Sequence, residues 1–131
     1  MNLINSVITQ GKIWNACQNL NDDEPNKREM ALKTLQEFGK QSIPSLLRAI
    51  GPQSSIRSQC GAAVVLHRLG ERKGIEFLIE TLQWKYPAEP AESEMGGYLE
   101  EAFLRIGNPD SAPALLTAWE KHHDWRDENI L

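Results

Sequence analysis

Cys60 and His67 share one predicted helix, and a thiol becomes a nucleophile when a base stands within hydrogen-bond reach. Seven helical positions are two turns, roughly 10 Å, so the two do not pair directly. Ile56, Ala63 and Leu66 form an apolar stripe beside them, which makes Cys60 a buried thiol and His67 an edge residue. His122 and His123, followed by Asp124, offer imidazoles to a metal. Adjacent helical side chains point about 100° apart, however, and do not chelate as an i, i+4 pair would. The same divergence makes Glu100 with Glu101, and Asp22 with Asp23, solvating carboxylates rather than an acid and base couple. The chain has no glycine-rich phosphate loop, no CxxC and no HExxH. The expectation is no catalytic residue, no metal ligand and no cofactor.

Binding chemistry is better represented. Arg57, Gly61 and Arg68 lie on one helical stripe with small residues between them, leaving room for another molecule to approach. Glu94, Gly97, Glu101 and Arg105 form a second, mostly acidic stripe. Either the arginines pair with those glutamates between helices or both stripes meet a partner. Glu29, Lys33 and Glu37, spaced four apart, can satisfy one another. Trp84 and Tyr86 stand in a proline-containing stretch from Trp84 to Pro90, read as a long turn, where aromatics either anchor a partner or fold back onto the core. The candidate partner-binding residues are Arg57, Arg68, Trp84, Tyr86, Glu94, Glu101 and Arg105.

These residues need a scaffold, and 131 residues with 40% hydrophobic and 24% charged content suit one globular domain. Two cysteines are too few for a disulfide framework. No apolar run approaches a membrane span, and Asn2, Asn5 and Gln10 interrupt an N-terminus without a basic start, so a cytoplasmic location is expected. The net charge of −4 conceals a segregation along the chain. Residues 27–73 carry nine basic and three acidic side chains, whereas residues 74–131 carry four basic and twelve acidic. Such a bipolar field steers an oppositely charged partner or favours head-to-tail self-association. Arg48, Arg57, Arg68, Arg72 and Lys73 could track phosphates, but a pI near 5.4 and the acidic C-terminal block repel a nucleic-acid backbone. Nucleic acid and membrane are not expected partners.

The chain also repeats itself. ALKTLQEFG (31–39), AAVVLHRLG (62–70) and LEEAFLRIG (99–107) align on a closing glycine, with Leu35, Leu66 and Phe103 four positions before it. After each glycine comes an apolar set at i, i+3, i+4, i+7: Ile43, Leu46, Leu47 and Ile50; Ile75, Leu78, Ile79 and Leu82; Ala112, Leu115, Leu116 and Trp119. Gly39, Gly70 and Gly107 fall where a helix should stop in the left-handed conformation. Ser42 before Pro44, and Asn108 before Pro109 and Asp110, mark new helix starts. Strand signals are almost absent, so the spacing predicts an all-α chain with helices over 2–20, 26–38, 42–50, 55–69, 72–83, 93–106 and 109–121.

This cycle resembles the HEAT repeat, and more narrowly the short HEAT-like repeats of phycobilisome lyases. The resemblance rests on SIPSLLRAI, GPQSS and IRSQCGAAVVLHRLG, with Ile56 and Arg57 at the family's Val-Arg pair, and covers residues 26–121. It implies a short right-handed α-solenoid of about three helix pairs. An N-terminal helix (1–25) with Leu3, Ile4, Val7, Ile8, Trp14 and Cys17 would cap one end, and a tail (122–131) would follow. It also implies that the second helix of each pair lines a concave wall. The functional expectation is a non-enzymatic adaptor gripping another protein through that wall or the Trp84 loop. The alternatives are a component of a bilin attachment or detachment system acting on a phycobiliprotein, with Arg57, Arg68 and Glu101 holding the tetrapyrrole, and a bacterial immunity or inhibitor protein.

Overall fold

Apolar periodicity and polar punctuation are realised as six α-helices in the computed structural model, which describes residues 3–90 and 92–107. They are α1 (Leu3–Asn19), α2 (Pro25–Phe38), α3 (Ile43–Ala49), α4 (Ile56–Arg68), α5 (Arg72–Glu80) and α6 (Met95–Ile106). No strand occurs among the described residues. The expected helix over 109–121 and the tail with His122 and His123 lie outside them.

Helix ends follow from local chemistry. Gly39, Gly70 and Gly107 are the positive-φ residues of the described chain, at 63°, 84° and 76°. Each terminates the apolar helix that the repeat predicts, in backbone that an L side chain adopts only with strain. Ser55 caps α4 by accepting from the Ser58 amide at 3.1 Å. Ser42 departs from its expected role as a cap. It is buried inside a 3-10 turn (Gly39–Ser42), and its hydroxyl donates backward to the carbonyls of Gly39 and Leu35. The Leu35 carbonyl already accepts from the Gly39 amide, and the hydroxyl adds a second donor at this helix end.

The turn expected from Trp84 to Pro90 begins later than its composition suggests. After α5 the chain continues as a π-helical turn (Thr81–Lys85) and a 3-10 turn (Tyr86–Ala88). Buried Thr81 bonds its hydroxyl to the Phe77 carbonyl at 2.8 Å, a back-bond that bends helices. Pro87, inside that 3-10 turn, lacks the amide proton that a continuing α-helix would need.

The helices stack in series. α4 is central, with α2 on one flank and α6 on the other, and α3 and α5 pack behind it; α1 packs on α2 and α3. Eight of the thirteen α4 residues are buried, because it faces two cores. Ala62, Val65 and Leu66 join Ile13, Leu20, Leu32, Leu35 and Leu46 in the first. Cys60, Ala63 and Val64 join Leu78, Leu99 and Phe103 in the second. Buried Gln59 ties the α3–α4 turn by donating to the Gly51 carbonyl at 2.7 Å. At the N-terminal end α1 covers the first core with Ile13, Ala16 and partly buried Cys17, and Leu20 follows just past its end, while Leu3, Ile4, Val7, Ile8 and Trp14 of the expected capping set are exposed. No described helix is long and apolar enough to cross a membrane.

Candidate functional site

α2, α4 and α6 lie side by side, and the residues they turn outward enclose a cleft of about 90 Å3. Its lining is apolar at Leu20, Leu32, Cys60, Gly61, Val64 and Ala102, and polar at Arg28, Glu29, Arg57, Tyr98, Glu101 and Arg105. Gly61 sits close under Leu20: a Cβ there would stand 3.1 Å from Leu20 Cδ2, so that side chain would have to shift by a few tenths of an ångström. The side chain of Leu20 thus reaches over α4 from the end of the first helix.

Arg57 is a three-way tie. Its Nε and Nη2 donate to the Tyr98 hydroxyl on α6 at 3.0 and 2.8 Å. Its Nη1 donates to the carbonyls of Asn21 and Asp22 at 3.1 Å and to Asp23 Oδ1 at 3.2 Å. The guanidinium also lies 5.4 Å from the Tyr98 ring centroid, a cation–π distance. Bonds from Tyr98 and Asp23 hold its pKa above the ordinary arginine value, so it is a permanent cation. Arg28 donates to the carbonyls of Asp22 and Asp23, fixing the same α1–α2 turn from the other side.

Arg105 forms the second tie. It meets Glu29 of α2 in a two-pronged pair, Nη1 to Oε1 at 3.0 Å and Nη2 to Oε2 at 2.6 Å, and also donates to Glu101 Oε1 at 3.0 and 3.2 Å. This overturns the expected Glu29, Lys33 and Glu37 series: Glu29 reaches across the cleft because a bidentate guanidinium offers two aligned donors, which a lysine one turn away does not. Arg68 bonds Gln36 Oε1 at 2.6 Å and the Arg105 carbonyl at 3.3 Å.

The arginines and glutamates of the two stripes therefore converge, in a pattern other than simple Arg57 and Arg68 pairing with Glu94 and Glu101. Arg57 takes Tyr98 and Asp23, and Arg105 takes the glutamates. Glu94 stands behind Tyr98, whose hydroxyl lies 3.5 Å from its Oε2. Trp84 and Tyr86 are elsewhere. Tyr86 folds onto the second core against Gly96, where a Cβ would fall 2.8 Å from the Tyr86 ring. Trp84 is 68% exposed on the π-helical turn. Tyr98 and Arg28 escaped the sequence reading, which pairs Glu29 along its own helix. Arg57 and Tyr98 are 41 positions apart and Arg105 and Glu29 are 76 apart, and no local spacing reports such pairs.

The cleft's thiol is inert. Burial, reinforced by the Glu101 charge, pushes Cys60 up to about 12, so it stays protonated at neutral pH. Cys17 is pushed up to about 11, again by burial, with Arg48 opposing. No group of three or more potential metal ligands occurs among the described residues.

The hydrogen bond from Arg105 holds the Glu29 carboxyl below its ordinary value of 4.5. Its folded value is depressed, so the pair's stabilisation is complete above about pH 4.5 and fades as pH falls through the lower folded value. Glu29 is more than half exposed, so solvent screening keeps the contribution below about 1 kcal/mol. Thermal melts of wild type and Glu29→Gln are expected to differ slightly at neutral pH and to converge as pH drops toward about 3. Curves offset equally at both ends of that range would show that the ion pair contributes nothing.

Comparison with models of known protein families, with curated proteins and with solved structures gives no match.

Proposed function

We propose that this chain is a non-enzymatic protein-binding module of HEAT-like build, which receives a segment of a partner protein in the cleft between α2, α4 and α6. The observation that carries this reading is a small apolar slot framed by arginines that are already locked. Arg28, Arg57 and Arg105 each donate to at least two protein acceptors, so the rim loses little rotamer freedom when a partner arrives. Arginine and tyrosine around a desolvated pocket are also the side chains in which binding energy concentrates. A slot of about 90 Å3 suits one small aliphatic side chain, with the exposed carboxylate of Glu101 beside it to accept a hydrogen bond. A tetrapyrrole needs a cavity of roughly 300 Å3 or more, which favours a protein segment over a bilin.

Cross-linked capture in the native cell, followed by competition with the purified partner, tests this reading. Glu101→Lys, which reverses the rim charge, and Gly61→Ala, which narrows the slot, are expected to weaken retention about tenfold or more. Trp84→Ala, outside the cleft, is expected to retain the partner. Retention unchanged by both cleft variants, with wild-type circular dichroism, refutes the cleft; loss with Trp84→Ala alone moves the interface to the π-helical turn.

A further inference from the structure

α1 has two apolar faces, and only one of them is used. Ile13 and Ala16, with Leu20 just past the helix end, turn into the first core. Leu3, Ile4, Val7, Ile8 and Trp14 are each between 50% and 80% exposed. At 100° per residue these five form one stripe, roughly opposite the buried face. They are five of the eight large hydrophobic residues exposed on the described chain. A soluble domain rarely leaves such a stripe bare.

The occupant can be argued from three properties of this end of the molecule. The first is charge. α1 carries a single charged side chain, Lys12, whereas the chain as a whole is acidic. Two copies meeting on this stripe bring together side chains without charge, which avoids the like-charge penalty of joining two acidic faces. The second is the rim. Exposed side-chain amides continue the stripe, Gln10 at its edge and Asn15 and Gln18 toward its C-terminal end. An amide both donates and accepts, so a row of amides complements a copy of itself, as a two-fold interface demands and as a row of like charges does not. The third is area. Five side chains of this size and exposure present on the order of 500 Å2 per copy, or roughly 1,000 Å2 in a pair, the lower bound for a specific interface. A groove of about 420 Å3 between α1 and α2, walled by Ala16, Met30, Ala31 and Phe38 with Lys12 and Lys27 at its sides, lies on the α2 side of the same helix. A membrane surface is a weaker match, because one lysine on the helix of an acidic protein provides little attraction to anionic headgroups.

We infer that the chain forms a two-fold dimer through the outward stripe of α1, the two copies of α1 running antiparallel so that their dipoles oppose. The interface is small, so the dimer is of micromolar strength and populated in a concentration-dependent way.

Sedimentation velocity of the full chain from about 1 to about 500 µM tests it. A rise from monomer to dimer over that range is expected, shifted at least about tenfold to higher concentration by Val7→Asp and by Met30→Glu, both on exposed side chains. Far-UV circular dichroism of the variants is expected to match wild type. A wild-type chain that stays monomeric at every concentration overturns the inference, as does a dimer indifferent to both variants. Flotation with phosphatidylcholine vesicles by a monomeric chain would overturn it too, assigning the stripe to a lipid surface. Partner retention by the cleft is read separately, and neither dimer variant is expected to alter it.

Discussion

Gly74→Ala is expected to lower stability by about 3 kcal/mol, the upper end of what an over-packed helix contact costs. Gly74 is buried in the first turn of α5, which packs against α4. A Cβ there would sit 2.3 Å from the Ala63 carbonyl oxygen, 2.9 Å from the His67 nitrogen and 3.0 Å from Leu66 Cβ. Two of these three neighbours are backbone, and main chain cannot swing aside as a long side chain does. The helices must separate, which loosens Leu78 and Ala63 in the second core. The same substitution at an exposed helical glycine such as Gly97, where a Cβ meets nothing within 4 Å, is expected to stabilise by up to about 1 kcal/mol. Urea melts of the two variants check the contrast; a Gly74→Ala midpoint equal to wild type would show that the α4–α5 crossing is loose.

Phe103→Ala is expected to cost about 3–5 kcal/mol, and to do so locally. Phe103 is 1% exposed and packs with Cys60, Val64, Leu99 and Ala102 in the second core. The first core contains none of these residues. In a serial stack each element is held by its neighbours alone, so damage at one interface need not propagate. α6 is expected to open while α1 to α4 stay folded, since α4 retains its contacts with α2 and α3. Native-state hydrogen exchange reads this directly: α6 amides lose protection and α2 amides keep it. Equal loss in both helices would mean that the two cores unfold as one unit.

The repeat was legible because its cues are local. A glycine closing each helix, an apolar set at helical spacing and a proline near the next start are all read within one turn or two, and the three closing glycines carry the positive φ they were expected to carry. The α1 stripe shows the limit of that reading. Leu3, Ile4, Val7 and Ile8 have the composition of a capping face, yet the first core is covered by Ile13, Ala16 and Leu20. Hydropathy marks which residues are apolar and is silent on which side of the helix a neighbour will occupy. The 81–88 segment went wrong for a different reason. Its turn composition, with Pro87 and Pro90, concealed a helix that Thr81 bends and Pro87 then ends.

The sequence alone determined the all-α character of the described residues, the glycine stops at Gly39, Gly70 and Gly107, and the candidate residues Arg57, Arg68, Glu94, Glu101 and Arg105 on or beside helices that pack together, because helical periodicity and glycine's backbone freedom act over a few residues. Tertiary structure decided which of them meet. It gave Arg57 to Tyr98 and the α1–α2 turn, gave Arg105 to Glu29, kept Trp84 away from the cleft and placed Gly74 against the α4 backbone. Those pairings join residues tens of positions apart, and their geometry is fixed by how closely whole helices approach, a quantity that no short window of sequence contains.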